Sequence, residues 1–218
     1  MDSLWLKFTL ESATTFGRGE GIPGMVDQEV TFDPWGCPFL HGRTLKGLMS
    51  EVCADILHVV PDIDATWRST ADRLFGVPGS RGYDQGIMHV GHARMPAGIR
   101  AAISQEIAAG RWSSPEVVET LCAVRRQTAV EENGVPDPHT LRSMRVILRG
   151  TPFEAHLRFA NLLERQDKGL LAAIALGLRR AGTARNRGRG RLSASLYLEN
   201  GSDITSTWFE LFQMEVNG

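Results

Sequence analysis

Cysteine is scarce in this sequence, and the three residues present are poorly placed for cross-linking. Cys37, Cys53 and Cys122 are odd in number and far apart, which suits neither a disulfide framework nor a CxxC metal knuckle. We therefore expect buried or partly buried free thiols.

Long apolar runs are also missing. Apolar residues make up 42% and charged residues 22% of the 218 positions, which is ordinary for a soluble globular protein, and no run approaches the length that spans a bilayer. The first five residues lack a basic region followed by an apolar stretch, so we expect no secretory signal, no membrane partner and a cytoplasmic location. At this length we expect one elaborated domain over residues 1–218.

A strong overall charge is absent as well, but one segment is strongly cationic. The formal net charge is −1, yet residues 179–191 contain six arginines and no acidic residue. Acidic residues elsewhere balance this segment, so a local anionic partner is compatible with the neutral total.

The hydrophobic pattern predicts an α+β fold. Residues 3–11 alternate between apolar and polar as a strand does, and residues 43–57 follow the three-and-four spacing of an amphipathic helix. The remaining predicted elements are helices at 65–75, 97–109, 114–125 and 168–181 and strands at 86–94, 145–148, 153–159 and 191–198. A long loop at 12–41 has room for one short strand at 29–32, and turn residues dominate 127–142.

This order of elements predicts a ferredoxin-like or RNA-recognition-type antiparallel sheet backed by helices. We expect it to carry a helical insertion over about 95–126 and a protruding thumb-like loop over about 127–144. The fold alone does not indicate a function, because this architecture hosts many.

The sharpest local motif is the arginine and glycine run at 185–191. Glycines let backbone amides approach a ligand closely, and each guanidinium can make a bidentate hydrogen-bonded contact with a phosphate. The run predicts a grip on a phosphate backbone with little capacity to read bases. Its members are Arg185, Arg187, Gly188, Arg189, Gly190 and Arg191. A solvated basic turn without function is the alternative.

A second candidate site is the start of the helix at 43–57, which follows Gly42 directly. Free N–H groups and the helix dipole favour an anion there, so Arg43, Thr44 and Lys46 could hold another phosphate. An ordinary helix start explains the same residues. Arg18, in the preceding loop, completes the candidate RNA-binding set.

Four marks in the chain resemble the RAMP (repeat-associated mysterious protein) superfamily. Residues 26–47 are similar to its aspartate loop, Gly-x-Pro turn and Gly-Ser-Ser-x-Lys-Gly helix start. Leu74-Phe75-Gly76 resembles its Leu-Phe-Gly, residues 149–153 resemble its Gly-Thr-x-Phe strand entry, and residues 176–191 resemble its glycine-rich loop. The marks occur in the family's order over most of the chain. Two departures are Arg43-Thr44 in place of Ser-Ser, and acidic Glu131-Glu132 in the expected thumb.

The short length and the upstream aspartate are similar to the backbone (Cas-seven-like) subunit of type III CRISPR effector complexes. The resemblance implies a protein that binds crRNA, assembles with further copies of itself and other effector subunits, and has an antiviral role. It also implies that Asp27 is the catalytic residue of a metal-dependent endoribonuclease that cuts complementary target RNA with Mg²⁺ or Mn²⁺, and that Asp33 is structural.

Two alternatives remain open. The chain could be a non-catalytic crRNA-binding scaffold, or a repeat-processing endoribonuclease that cuts without metal through a general acid/base such as histidine. Within a strand, His89 and His92 would face opposite sides, so we do not expect them to form a metal pair. His41 lies near the expected RNA path without a motif of its own.

Overall fold

The computed structural model describes residues 3–21, 26–60, 65–77, 85–128 and 142–217. Within these ranges no helix combines the length and apolar character that crossing a membrane requires. The strands are β1 (Ser3–Leu10), β2 (Phe39–Leu40), β3 (Met88–Val90), β4 (Ala93–Arg94), β5 (Cys122–Gln127), β6 (Arg142–Ile147), β7 (Pro152–Phe159) and β8 (Leu192–Tyr197). The helices are α1 (Gly42–Val59), α2 (Thr66–Phe75), α3 (Ala97–Ala108), α4 (Ser114–Leu121), α5 (Arg165–Gly177) and α6 (Thr205–Asn217).

The main sheet has the strand order of a ferredoxin-like fold. Strand β1 lies between β7 and β8, β3 pairs with the other edge of β7, and all these pairings are antiparallel. Helix α1 connects β1 to β3 and helix α5 connects β7 to β8, as in a split βαβ arrangement. Short strands β2 and β4 extend the sheet beyond β7. The predicted α+β class, with an antiparallel sheet backed by helices, is confirmed.

Alternation along the central strands explains why only one face of the sheet is buried. In β1 and β7 every second residue is inaccessible, including Leu6 and Ala155, which face each other across the ladder. Helix α5 covers this face with a continuous run of buried residues from Leu170 to Ala175. It packs against α1, α2 and α6. The core therefore lies between the sheet and α5.

The region predicted as a second insertion helix at 114–125 is partly a strand. Helix α4 ends at Leu121, and β5 then pairs antiparallel with β6 from Cys122↔Ile147 to Gln127↔Arg142. The helical prediction for 122–125 was wrong because pairing with β6, distant in sequence, overrides the local pattern. The thumb-like loop is therefore flanked by a two-stranded ladder. Its residues 129–141, including Glu131-Glu132, lie outside the described residues.

Other elements also differ from the predictions. Helix α5 ends at Gly177 rather than 181, because the following backbone bonds to residues 190–192: Leu192 N donates to Arg179 O at 3.0 Å and Ala181 N donates to Gly190 O at 2.9 Å. The predicted strand at 86–94 is two short strands, because β3 pairs with β7 while β4 pairs with β2 and with β7 only at Arg94↔Glu154. Helix α6 was not predicted at all, although its buried Phe212 packs on Gly169 of α5.

The three cysteines are free and buried, as expected. Burial raises the pKa of Cys37 and Cys53 to about 11 and that of Cys122 to about 12. These thiols stay protonated at neutral pH and are poor nucleophiles.

Asp33 organises the turn that leads into β2. Its side chain is almost inaccessible, and Oδ1 accepts hydrogen bonds from the backbone N–H groups of Trp35 and Cys37, both at 3.0 Å. The other oxygen, Oδ2, accepts from Arg100 Nε of α3 at 3.2 Å. These contacts agree with the structural role that the resemblance implies for this aspartate.

Replacing Asp33 by alanine should lower the free energy of unfolding by about 3 kcal/mol, because it removes the acceptor from two backbone donors and a guanidinium. Asp33→Asn keeps one acceptor oxygen and loses the charge, so its loss should be smaller. Urea denaturation of both variants measures this. An alanine variant within about 0.5 kcal/mol of the parent, as for a simple surface change, contradicts the assignment.

Candidate nucleic-acid interface

The residues that follow β1 attach to β6. Thr14 is fully buried, and its backbone exchanges hydrogen bonds of 3.2 and 2.7 Å with Ile147. The hydroxyl of Thr15 donates to the carbonyl of Arg145 at 2.7 Å. Thr14 and Thr15 are thereby fixed to the strand that leads out of the thumb-like loop.

The same residues attach to the arginine-glycine loop, which we define as residues 179–191. The Thr14 hydroxyl donates to the carbonyl of Ala181 at 2.8 Å. The N–H groups of Thr183 and Gly190 donate to the carbonyls on either side of Thr14, at 3.0 and 3.2 Å. Thr14 therefore joins β6 to the arginine-glycine loop, and no motif in the sequence marked it.

Gly188 and Gly190 of this loop require glycine for different structural reasons. Both have positive φ, 69° at Gly190 and 77° at Gly188, where a side chain is strained. A Cβ atom on Gly190 would also collide with the carbonyl of Ala181, whereas one on Gly188 would meet nothing within 4 Å. Gly190 is thus required by packing of the chain on itself, and Gly188 only by its backbone conformation.

The arginines of the loop differ in how firmly they are held. Arg185 NH1 lies 2.9 Å from Glu51 Oε2 on α1, and the guanidinium of Arg189 contacts the sulfur of Met144 on β6. Arg187 is exposed, and Arg191 is exposed with its Nε 3.9 Å from Glu11. Arg187 and Arg191 are therefore the more available phosphate partners, while Arg185 and Arg189 also position the loop.

Asp27 lies beside the ladder that flanks the thumb-like loop. Its backbone N–H donates to the carbonyl of Ser143 at 2.9 Å. Its carboxylate Oδ2 accepts from the N–H of Ser143 at 2.6 Å and from the hydroxyl at 3.2 Å. The residue itself is exposed. The carboxylate is thus held in a fixed direction at the surface.

A buried ion pair secures the segment that carries Asp27. Glu29 is 3% exposed, and its Oε1 accepts from Arg145 Nε at 2.9 Å and from the N–H of Val30 at 2.8 Å. The N–H of Arg145 donates in turn to Gln28 O at 3.0 Å. Removing one partner of such a pair leaves a buried charge uncompensated. Sequence analysis missed this pair, because its members are 116 positions apart.

The start of α1 has an unexpected cap. The backbone N–H of Gly42 donates to Nδ1 of His92 at 2.9 Å, and the His41 and His92 rings lie 5.3 Å apart between centroids. The pKa of His92 lies below its ordinary value because of burial, with Arg94 and His41 adding to the effect. A neutral imidazole keeps Nδ1 available as an acceptor. The expectation that His89 and His92 face opposite sides assumed that both lie in one strand. Strand β3 ends at Val90, so His92 lies outside it.

The predicted phosphate contacts on α1 fall into two kinds. Arg43 and Thr44 are exposed on the first turn. Lys46 is partly buried, and its Nζ donates to the carbonyl of Met88 in β3 at 3.0 Å. The pKa of Lys46 lies below its ordinary value because burial disfavours the charged form. Lys46 therefore has a packing role between α1 and the sheet, in addition to any ligand contact.

Direct contacts join the arginine-glycine loop to its neighbours. The arginine-glycine loop contacts α1 through Arg185 and Glu51 and contacts β6 through Arg189. It reaches the Asp27 segment where the Thr183 hydroxyl lies 3.5 Å from Gln28 Oε1. Arg18 is exposed on the adjoining loop, and its N–H donates to Glu29 O at 3.2 Å. Among the sequence-predicted residues, Thr44 and Arg185 line one pocket, whereas Lys46 lines a second pocket and Arg191 a third.

Asp27 suits one kind of cation site. Among the described residues there is no group of three or more His, Cys, Asp or Glu side chains that could hold a metal ion. Mg²⁺, however, commonly binds through one or two carboxylates together with water and substrate phosphates. An exposed carboxylate anchored through Oδ2 fits that mode as a single protein ligand.

The two glycines should respond differently to substitution. Gly188→Ala should cost about 1 kcal/mol of unfolding free energy because of its positive φ, and Gly190→Ala should cost at least about 3 kcal/mol because strain and collision add. Chemical denaturation of the two variants measures the difference. Equal destabilisation would show that packing against Ala181 does not constrain the loop.

Comparison with known proteins supports the fold but supplies no sequence relative. No protein-family model and no curated protein sequence matches this chain. A chain in the cryo-EM structure of the type III-B Cmr-beta bound to cognate target RNA matches with a TM-score of 0.65 and 11% identity, over 90% of this chain and 97% of that chain. In the apo state of Cmr-beta the values are 0.64, 10%, 89% and 97%. The chain therefore shares its fold with a chain of the type III-B Cmr-beta structures.

Proposed function

We propose that this chain is a crRNA-binding subunit of a type III CRISPR antiviral effector complex in the cytoplasm. It would assemble with further copies of itself and with other effector subunits. We further propose that it cuts complementary target RNA through Asp27 with a divalent cation. The observation that carries the proposal is the set of contacts by which the arginine-glycine loop meets α1, β6 and Gln28, the neighbour of Asp27.

The chemistry of this surface suits an RNA backbone. Three arginines are exposed, Arg43, Arg187 and Arg191. Each can make a bidentate contact with a phosphate. Contacts of this type bind RNA of any sequence, as a guide-binding subunit requires, since guides differ in sequence. The ties of Arg185 and Arg189 to α1 and β6 keep the loop in place, so less conformational entropy is lost on binding.

In this proposal Asp27 acts on the target strand. Its neighbour Gln28 lies 3.5 Å from Thr183 of the arginine-glycine loop, and Asp27 itself lies beside the ladder that leads into the thumb-like loop. Its two bonds from Ser143 fix the carboxylate direction, which is what a ligand for a cation needs. A divalent cation held there would offset charge that develops on the scissile phosphate.

The alternatives differ in the residues that cleavage would need. A non-catalytic scaffold would use the same cationic surface and leave Asp27 without effect on the RNA. A repeat-processing enzyme would need a general acid/base, for which His41 and His92 are close enough to each other to be considered. Cleavage that persists in a chelator and responds to these histidines would favour that enzyme.

Asp27→Asn is the sharpest test of cleavage. The amide keeps an oxygen that can accept from Ser143 but loses the charge that binds a cation. Metal-dependent cutting of complementary RNA by the assembled complex should fall by at least roughly 100-fold, while guide content stays the same. Asp55→Asn, on the exposed side of α1, is the matched control. Unchanged cutting at the same positions would remove Asp27 from the catalytic role and leave the scaffold alternative.

Guide binding is tested by removing the two more available of the four arginines at 185–191. In Arg187→Ala/Arg191→Ala the slope of log affinity against log salt for single-stranded RNA should fall in magnitude by about 1.4, or about 0.7 for each phosphate that is no longer neutralised. The control variant is Arg158→Ala/Arg165→Ala. Arg158 lies in β7 and pairs with Ser3, at the opposite end of β1, and Arg165 is the first residue of α5. A slope equal to that of the parent in the first variant would contradict a phosphate grip at this loop.

A further inference from the structure

The outer edge of strand β8 is covered only near its ends. Strand β8 is the last strand of the main sheet and pairs with β1 on its inner side. A strand edge offers N–H and C=O groups to other chains, and proteins usually cover it. At the start of β8, Leu192 N donates to Arg179 O at 3.0 Å, and near its end Leu196 O accepts from Ile204 N at 3.0 Å. The edge between these two contacts is open.

Ala194 is the residue whose backbone faces this opening. Backbone groups along an antiparallel strand point alternately to its two sides. The N–H groups of Leu192 and Leu196 point away from β1, to Arg179 O and Thr205 Oγ1. The N–H and C=O groups of Ala194, midway between them, therefore point away from β1 as well. In the ranges that the structure describes, no hydrogen bond joins either group to another residue.

A pocket of about 540 Å³ lies at this opening. Residues 192–194 of β8 line it together with Leu176 and Leu178 at the end of α5. Its volume is within the usual range of ligand sites, about 300–1,000 Å³. An extended peptide can add to a free strand edge through main-chain hydrogen bonds. The pocket therefore has both the room and the backbone groups for a short extended segment.

The charge of the pocket is positive. Arg179, Arg180 and Arg191 line it, and Glu11 is the acidic residue among its lining residues. The Glu11 carboxylate lies 3.9 Å from Arg191 Nε. The side chains of Arg179 and Arg180 are exposed and donate to backbone carbonyls, which do not neutralise them. A carboxylate can do so, because it accepts a bidentate contact from a guanidinium.

We propose that an extended acidic segment of a partner protein adds to β8 in this pocket. Its backbone would pair with the N–H and C=O groups of Ala194, and its carboxylates would contact Arg179 and Arg180. An RNA strand would match the charge of the pocket but not the donor and acceptor of the strand edge. The inference goes beyond the proposed RNA-binding function, since it assigns a protein partner and does not require RNA.

The first test uses a short peptide with blocked ends, in which glutamate alternates with valine, added to the full-length protein. At saturation, hydrogen exchange of the Ala194 amide should slow by at least about tenfold, because that amide gains a hydrogen bond. Exchange of the Ser195 amide should not change, because this group already points to β1. A bound peptide that leaves the exchange of Ala194 unchanged would overturn strand addition.

Methylation of the peptide backbone tests the pairing from the other partner. A strand donates to its neighbour only through alternate N–H groups. N-methylation of one alternate set of peptide residues should therefore abolish binding, and methylation of the other set should leave most of it. Equal affinities of the two methylated peptides would contradict a paired strand.

Charge reversal tests the arginines. Arg179→Glu should weaken binding of the acidic peptide by at least about tenfold, because like charges across an interface are strongly unfavourable. Arg158→Glu, an equal charge change at an exposed position of β7, is the matched control and should change the affinity less than about twofold. The same peptide with lysine in place of glutamate should not bind.

The outcomes separate this inference from the proposed function. If the acidic peptide does not bind while single-stranded RNA does, the peptide site is wrong and RNA binding stands. A loss of RNA affinity in Arg179→Glu, without any peptide binding to the parent protein, would assign this arginine to RNA instead. If the peptide protects Ala194 and no RNA binds, the peptide site stands and the proposed function is wrong.

Discussion

The buried Thr14 is the residue on which the candidate surface depends. Its backbone pairs with Ile147 of β6, and its hydroxyl holds the carbonyl of Ala181 at the start of the arginine-glycine loop. Thr14 is fully buried, so an unpaired group at this position would carry the full cost of desolvation. One residue thereby fixes the distance between the strand that supports Asp27 and the loop that carries the arginines.

In the arginine-glycine loop, the glycines determine the backbone conformation and the arginines supply the charge. Gly182 and Gly190 leave room for Thr14 and for the carbonyl of Ala181, respectively, so they serve the packing of the chain on itself. Arg187 and Arg191 face solvent, where they contribute little to stability and remain available to a ligand. The arginine-glycine loop thus contains glycines that its packing requires and arginines that remain available to a ligand.

Three carboxylates near β2 and β6 differ in burial and in their partners. Asp33 and Glu29 are buried and paired with Arg100 and Arg145, so both act in holding the polypeptide together. Asp27 is exposed and is anchored through Ser143. Only this last carboxylate faces the surface where a cation and a phosphate could reach it. Burial and ion pairing thus separate Asp33 and Glu29 from Asp27.

The sequence by itself determined the fold class and the identity of the cationic segments. Alternation in β1 and β7 and three-and-four spacing in α1 are local patterns, and local patterns report which face of an element is buried. The arginine-glycine run is also local, so its charge was visible without coordinates. The tertiary structure alone decided the rest: the ladder of β5 with β6, the Glu29–Arg145 pair, the His92 cap on Gly42 and the partner of Lys46. Each of these joins residues distant in the chain, and the energies of such contacts depend on burial and geometry, which a single sequence does not contain.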